Sequence, residues 1–239
     1  MAAALLVCLP LHYLCRLLGR RSPWPRRFLG WVARAAGMRV RVAGVPLRRD
    51  VLFLANHLSW LDILVLAGAS GTAFVSKAEV AETPVVGWLA RLNNTVFVAR
   101  SQRAGVRDQA DSLRRALASG QPVALFPEGT TDGGRDVLPF RASLLASLFP
   151  PIPGVRVQPV ALDYGAATED LAWVGDEPGL DNVRKVLTRR GTVEVVLHFL
   201  TPVDPEAGDR KALARAARDE IVRTLANPLS PSGGRADRL

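Results

Sequence analysis

Residues 51–62 have the sequence Val-Leu-Phe-Leu-Ala-Asn-His-Leu-Ser-Trp-Leu-Asp, an apolar run followed by a polar loop. Five apolar residues in a row predict a strand that is buried on both faces, as in the centre of a parallel sheet. His57 and Asp62 follow this strand, and a helix is expected to begin near Ser59. A histidine held by a carboxylate at the end of a strand can act as a general base, with the carboxylate fixing its tautomer.

Asp62 also has a structural interpretation. Ser59 and Asp62 have the spacing of a capping box, in which both side chains satisfy N–H groups at the start of a helix. The first-turn position is compatible with both roles. Asn56 and Trp60 are expected to be framework residues, and His198 is expected to be a structural histidine of a late strand.

Residues 123–131 repeat the arrangement with the sequence Val-Ala-Leu-Phe-Pro-Glu-Gly-Thr-Thr. A carboxylate after a buried strand is costly unless paired, so Glu128 is expected to bind a ligand hydroxyl or neighbouring backbone N–H groups. Gly129 has no side chain, so a ligand can approach the backbone closely there. The backbone N–H groups near Gly129 are candidates for an oxyanion hole. The Thr130 and Thr131 hydroxyls suit a polar or anionic ligand. The two segments together indicate acyl transfer to a hydroxyl.

Strands and helices alternate along the chain, which predicts an α/β fold with a largely parallel sheet flanked by helices. Predicted strands cover 39–42, 51–55, 73–76, 95–98, 122–126, 155–162 and 192–200. Predicted helices cover 59–66, 80–92 (in pieces around Pro84 and Gly87), 103–118, 141–149 and 210–226. We expect three regions: an apolar and basic helical segment over 1–38, a catalytic domain over 39–226 and a disordered tail over 227–239.

The formal charge of +9 lies entirely in residues 1–50, which hold ten Arg and one acidic residue, whereas the 21 basic and 21 acidic groups of residues 51–239 cancel. Residues 2–18 are apolar apart from three interruptions. A basic segment with interleaved aromatic residues after an apolar run is typical of a helix in an anionic membrane interface. We therefore expect residues 1–38 to attach the protein to the cytoplasmic face of a membrane.

Other interpretations of this segment stay open. A spanning helix needs about 20 apolar residues, so Pro10 and Arg16 weaken that alternative and leave undecided whether residues 2–18 cross the membrane or lie on it. A signal peptide fits poorly because the basic residues follow the apolar run. A helical lid with solvated arginines is the structural alternative. No nucleic-acid motif accompanies the basic residues, which argues against nucleic acid as the partner.

Further short blocks stand in register with the two polar loops: Val75–Glu79 and Val96–Arg100 between them, and Val157–Ala161 after them. With His57-x-x-x-x-Asp62 and Phe126-Pro127-Glu128-Gly129-Thr130, they make the chain resemble the lysophospholipid acyltransferases of the 1-acylglycerol-3-phosphate acyltransferase family. The resemblance covers roughly residues 40–205. The histidine and aspartate alone are a weak signal, but several blocks in order are specific.

The resemblance implies an O-acyltransferase in which His57 removes the acceptor proton and Asp62 orients His57. The donor would be an acyl thioester on coenzyme A or acyl carrier protein, and no metal or bound cofactor would be needed. The chain departs from the family at Thr131, where the commonest pattern has an arginine that helps bind the substrate phosphate. Lys77 and Arg100 are the cations of the other blocks and are expected to bind the anion instead, with solvated charge as the alternative for each.

The first expected acceptor is 1-acylglycerol 3-phosphate, which would give phosphatidate in phospholipid biosynthesis. Lyso-ornithine lipid is the alternative, because an acceptor without phosphate would not require the missing arginine. Remote alternatives are a non-catalytic lipid-binding protein and a thioesterase-like hydrolase. No Gly-x-Ser-x-Gly motif is present, which argues against a covalent acyl-enzyme. The expected partners are therefore the lyso-lipid, the thioester donor and an anionic membrane surface.

Overall fold

The computed structural model of the protein describes residues 2–98, 105–118, 120–134 and 136–227. The strands in this part of the chain are β1 Met38–Gly44, β2 Val51–Ala55, β3 Ala73–Lys77, β4 Val96–Val98, β5 Val123–Leu125, β6 Arg156–Asp163 and β7 Val193–Phe199. The α-helices are α1 Ala2–Leu17, α2 Trp24–Ala35, α3 Leu61–Ser70, α4 Ala78–Glu82, α5 Pro84–Leu92, α6 Gly105–Ala118, α7 Thr168–Leu171, α8 Gly179–Thr188 and α9 Arg210–Ala226. Short 3-10 helices cover Ala142–Leu148, Gly165–Ala167 and Pro205–Ala207. Of the tail predicted to be disordered, residues 228–239 lie outside the described residues.

The strands form a single sheet in the order β1-β7-β6-β2-β5-β3-β4. The five strands from β6 to β4 run parallel to one another. β7 pairs antiparallel with β6, and the edge strand β1 pairs parallel with β7. The predicted α/β class with a largely parallel sheet flanked by helices is therefore confirmed.

The central strand β2 explains why the sheet is covered on both faces. All five of its residues are buried, and alternate side chains point to opposite faces of a strand. Phe53 and Ala55 pack in the same cluster as residues of α1, α2 and α3. Leu52 and Leu54 pack with residues of α6, α9 and the 142–148 helix on the other face. The result is a three-layer arrangement in which the polar loop after β2 emerges at one edge of the sheet.

The N-terminal helices pack directly on this domain. Phe28 and Val32 of α2 are buried in the same cluster as the core of α3. A Cβ placed on Gly68 of α3 would lie 2.7 Å from the Cα of Gly30 in α2, so the two helices cross in close backbone contact. Arg26 donates hydrogen bonds to the carbonyls of Gly68 and Ala69 near the end of α3. Helix α2 therefore helps to hold the helix that carries Asp62.

Two predicted elements have different forms in the structure. The predicted helix over 141–149 is a 3-10 helix, Ala142–Leu148. The predicted break at Pro84 is present between α4 and α5, but Gly87 lies inside α5. A Cβ at Gly87 would lie 2.4 Å from the carbonyl oxygen of Ala81, so this glycine permits α4 and α5 to pack closely. Within the described ranges, no helix has both the length and the hydropathy required to cross a membrane.

The helix α8 was not predicted from the sequence. Its apolar residues recur at helical spacing, but two of its leucines face outward, Leu180 at 83% and Leu187 at 52% exposure. Only Asn182 and Val186 of this helix are buried.

Candidate active site

The polar loops meet at one edge of the sheet because their strands are parallel. β2 ends before His57, β5 before Glu128 and β6 before Tyr164, and these three strands are neighbours. Carboxyl ends of parallel strands open at the same edge, which is where ligands bind in open α/β sheets. The two sequence segments that suggested chemistry are therefore brought together, as the sequence predicts.

His57 and Asp62 form a direct pair. The Nδ1 of His57 lies 2.8 Å from Oδ2 of Asp62, and the same oxygen accepts hydrogen bonds from the N–H groups of Leu58 (2.6 Å) and Ser59 (2.9 Å). The Asp62 side chain is completely buried. Since a carboxylate can only accept here, we assign the His57 proton to Nδ1, which leaves Nε2 with a free lone pair.

The ring of His57 is held on one face and open at Nε2. It stacks on Phe126, with ring centroids 4.0 Å apart and an interplanar angle of 12°. Its side chain is 18% exposed. Among the described residues, none forms a hydrogen bond with Nε2. The unprotonated nitrogen is thus accessible to a substrate hydroxyl, which is the arrangement a general base requires.

Tyr164 completes the surroundings of Asp62, although the sequence analysis did not identify it. Its hydroxyl donates a 2.6 Å hydrogen bond to Oδ1 of Asp62. Burial, followed by the charge of Asp62, raises the pKa of the Tyr164 hydroxyl well above its ordinary value, so the hydroxyl remains a donor. The available signal was its position directly after β6, a strand that ends at the same edge as β2.

The capping interpretation of Ser59 and Asp62 is compatible with this geometry. Asp62 accepts from the Ser59 N–H, and the Ser59 hydroxyl accepts from the Leu61 N–H at 3.3 Å. Asp62 therefore ties the loop before α3 to the first turn of the helix and contacts His57 at the same time. Asn56 and Trp60 have framework contacts, to both backbone polar groups of Leu162 and to the Asn182 side chain respectively.

Glu128 is buried and joins two loops. Its carboxylate accepts hydrogen bonds from the N–H of His57 at 2.7 Å and from the N–H of Leu138 at 3.0 Å. Burial raises the pKa of Glu128 to about 7, while the two N–H donors act in the opposite direction. Glu128 was expected to bind either a ligand hydroxyl or neighbouring backbone N–H groups, and the contacts in the structure are with backbone N–H groups. Arg218 of α9 donates to the carbonyl of Leu138, so it supports the same loop.

The rest of the Gly129 turn is more open. Gly129 has a φ of 74°, and its N–H donates to the carbonyl of Phe126, so this N–H already has an acceptor. Thr130 is exposed and its hydroxyl contacts the Thr131 carbonyl at 3.4 Å, while Thr131 is half-buried. The side chain of Arg141, which the sequence analysis did not single out, lies against Gly129.

Of the two residues predicted to bind an anion, the structure describes Lys77 alone. Lys77 is exposed at the end of β3, two strands from β2 and therefore roughly 10 Å across the same edge. Arg100 lies outside the described residues. His198 is buried in β7 with Nε2 4.0 Å from Oδ2 of Asp163, and burial lowers its pKa, which fits the structural role predicted for it.

Comparison with known proteins identifies the class to which this site belongs. The family profile described as Acyltransferase matches residues 39–163, more than half of the chain. This range includes His57, Asp62 and Glu128. The chain belongs to this acyltransferase family, and the predictions of an acyltransferase enzyme and of a lysophospholipid acyltransferase relationship are confirmed.

Individual relatives differ in how much of the chain they match. The chain is 38% identical to a lyso-ornithine lipid O-acyltransferase of Rhizobium meliloti (strain 1021), across 94% of this chain and 82% of that protein. It is 37% identical to a 1-acyl-sn-glycerol-3-phosphate acyltransferase of Neisseria gonorrhoeae, across 48% of this chain and 44% of that protein. The crystal structure of the 1-acyl-sn-glycerophosphate acyltransferase PlsC from Thermotoga maritima has a similar fold, with a TM-score of 0.67 and 24% identity over 95% of this chain and 89% of that one.

Proposed function

We propose that the protein transfers a fatty acyl group to the free hydroxyl of lyso-ornithine lipid. The observation that carries this proposal is the similarity to a lyso-ornithine lipid O-acyltransferase over 94% of the chain. The threonine at position 131 supports it, because an acceptor without a phosphate monoester does not need an arginine there. Of the two acceptors expected from the sequence, this one was the alternative.

The geometry supports direct attack of the hydroxyl on the thioester. Nε2 of His57 removes the hydroxyl proton while the oxygen attacks the carbonyl carbon of the acyl thioester. Asp62 stabilises the imidazolium that forms, and Tyr164 and two backbone N–H groups hold Asp62 in place. The tetrahedral intermediate then expels the thiolate, which takes the proton from Nε2. The donor is coenzyme A or acyl carrier protein, and no bound cofactor takes part.

The second candidate acceptor is 1-acylglycerol 3-phosphate. It is favoured by the 37% identity to the Neisseria gonorrhoeae enzyme named for that substrate, over 48% of the chain. Lys77 lies at the edge of the sheet where an anionic headgroup would be placed, and Arg100 follows the neighbouring strand β4 in sequence. In this version of the proposal, Lys77 and Arg100 contact the phosphate of the acceptor.

The acceptor is tested by offering both lyso-lipids to the purified protein. Labelled acyl thioester on coenzyme A, and separately on acyl carrier protein, is supplied, and the lipid products are resolved by chromatography. Preferred formation of ornithine lipid is the expected result. Preferred formation of phosphatidate would replace the first acceptor with the second, and release of free fatty acid alone would contradict acyl transfer.

We also propose that α1 lies in a membrane interface. One face of this helix exposes large apolar side chains: Leu6, Val7, Tyr13, Leu14 and Leu17. Arg16 and Arg20 are exposed beside them. Apolar side chains next to basic residues are suited to a surface that combines acyl chains with anionic headgroups.

A matched pair of substitutions tests the membrane contact. Deletion of residues 1–35 would also remove core residues of α2, so a point change is preferable. Leu17 and Leu180 are 85% and 83% exposed, and only Leu17 lies on the proposed face. Leu17→Glu is expected to weaken sedimentation with anionic phospholipid vesicles, and Leu180→Glu is expected to leave it unchanged. Equal sedimentation of both variants would place the contact elsewhere.

A further inference from the structure

Residues 138–141 run beside the turn that follows β5. The Leu138 N–H donates to the carboxylate of Glu128 at 3.0 Å, and the Arg141 N–H donates to the Pro127 carbonyl at 2.9 Å. Glu128 in turn accepts from the His57 N–H. The segment 138–141 is therefore held next to the catalytic loop by one hydrogen bond at each of its ends.

The Arg141 side chain crosses the bare face of Gly129. A Cβ at Gly129 would lie 3.6 Å from both Cδ and Cζ of Arg141, and 3.4 Å from Cδ1 of Leu144. The φ of 74° at Gly129 is in the left-handed region, where residues with a side chain are strained. The turn thus leaves a flat surface of backbone against which the guanidinium lies.

The guanidinium has free donors in the described part of the chain. Arg141 is exposed, and among the described residues its side chain makes no ion pair and no hydrogen bond. Other arginines of the described residues have acceptors. Arg41 pairs with the Glu194 carboxylate at 3.0 Å, and Arg218 donates to the Val137 carbonyl at 2.6 Å. Arg141 therefore presents donors to solvent beside the Glu128 and His57 loops.

We propose that Arg141 is a specificity-determining residue that binds the anionic group of the acceptor headgroup. For the acceptor proposed above, the group bound is the carboxylate of the amino-acid headgroup, and the inference rests on that proposed function. The planar guanidinium can donate two parallel hydrogen bonds to a carboxylate, which a lysine cannot do. The hydroxyl of the same molecule then reaches Nε2 of His57.

The test removes the guanidinium of Arg141 by mutation and, separately, the carboxylate charge of the acceptor by esterification. Initial rates are measured for the wild type, Arg141→Ala and Arg141→Lys, with lyso-ornithine lipid and, in mixed micelles of the same composition, with its methyl ester, which lacks the carboxylate charge and keeps the side-chain ammonium. We expect the wild type to prefer the acid over the ester by about 10–100-fold in kcat/KM. Arg141→Ala should reduce this preference to within about twofold, because the acid loses its partner. Arg141→Lys should retain an intermediate preference.

The control variant is Arg156→Ala. Arg156 is also exposed and the substitution changes the charge equally, but the residue begins β6 and so lies at the opposite edge of the sheet. It should keep the wild-type preference. An undiminished preference in Arg141→Ala, or a raised KM for the thioester donor in place of the acceptor effect, would overturn the proposal.

A second pair of acceptors distinguishes a wrong choice of acceptor from a wrong role for Arg141. If the wild type does not acylate lyso-ornithine lipid, the same variants are compared on 1-acylglycerol 3-phosphate and on uncharged monoacylglycerol. Loss of the preference for the phosphate in Arg141→Ala would support headgroup binding by Arg141, and an unchanged preference would overturn it.

Discussion

Replacement of Tyr164 by phenylalanine isolates one contact of the catalytic pair. The change removes only the hydroxyl that donates to Oδ1 of Asp62 at 2.6 Å. Since Asp62 is completely buried, water cannot easily replace the lost donor. A hydrogen bond to a charged group contributes about 1.5–3 kcal/mol, so the free energy of unfolding should fall by that amount. The same energy sets a ceiling of about 100-fold on the fall in kcat, and we expect at least about 10-fold.

The assay combines urea denaturation with steady-state kinetics. The KM for both substrates should stay within about twofold, because Tyr164 acts through Asp62 and does not contact the substrate. Tyr13→Phe is the matched control, since Tyr13 is the only other tyrosine and is 54% exposed on α1. It should leave unfolding and kcat unchanged.

A double-mutant cycle decides whether Tyr164 acts through Asp62. In the Asp62→Asn background, Tyr164→Phe should lower kcat by less than about twofold, because the carboxylate that it orients is already gone. If kcat falls equally in both backgrounds, or does not fall in the wild-type background, the positioning role of Tyr164 is refuted.

Three further outcomes are expected. Asp62→Asn should lower kcat strongly and also reduce the thermal midpoint, because Asp62 accepts from His57 and from the N–H groups of Leu58 and Ser59 in the loop before α3. Full activity with a lower midpoint would leave only this structural role. Glu128 keeps its proton in the folded state up to about pH 7, whereas the unfolded state loses it near 4.5, so its contribution to stability should fall between these pH values by on the order of 3 kcal/mol. Urea denaturation at pH 5 and pH 7.5 should therefore show a smaller pH effect in Glu128→Gln than in the wild type, and an equal effect would contradict the raised pKa. Gly68→Ala should lower the free energy of unfolding by about 1–3 kcal/mol, since the added methyl meets the Gly30 backbone, while Gly208→Ala serves as the unstrained control.

The sequence predicts those features of the fold and site that depend on neighbours along the chain. His57 and Asp62 are five residues apart, so their pairing is a local matter of a loop and a helix start. The apolar runs of β2 and β5 similarly predict buried parallel strands. In contrast, the contacts of Glu128 with His57 and of Tyr164 with Asp62 join residues 71 and 102 positions apart. Only the packing order of the strands brings these residues together.

Arg141 and α8 illustrate two other limits. An exposed arginine in a loop has the same appearance in the sequence whether it is solvated or lies against a ligand-binding turn. The position of Arg141 depends on its backbone contact with Pro127 and on the bare face of Gly129, which no local pattern records. The apolar residues of α8 recur at helical spacing, but Val186 is the only one of them that is buried, so the spacing does not show what the helix packs against.

The central claim is that His57 is the general base of acyl transfer, and His57→Ala tests it most directly. Its side chain stacks on Phe126 but is not fully buried, so urea denaturation should show a folded protein. Turnover of labelled acyl thioester with the acceptor that the wild type prefers is then measured at saturating substrate. We predict a fall of about 10²–10⁴-fold in kcat. A folded His57→Ala variant with turnover near that of the wild type would contradict the account.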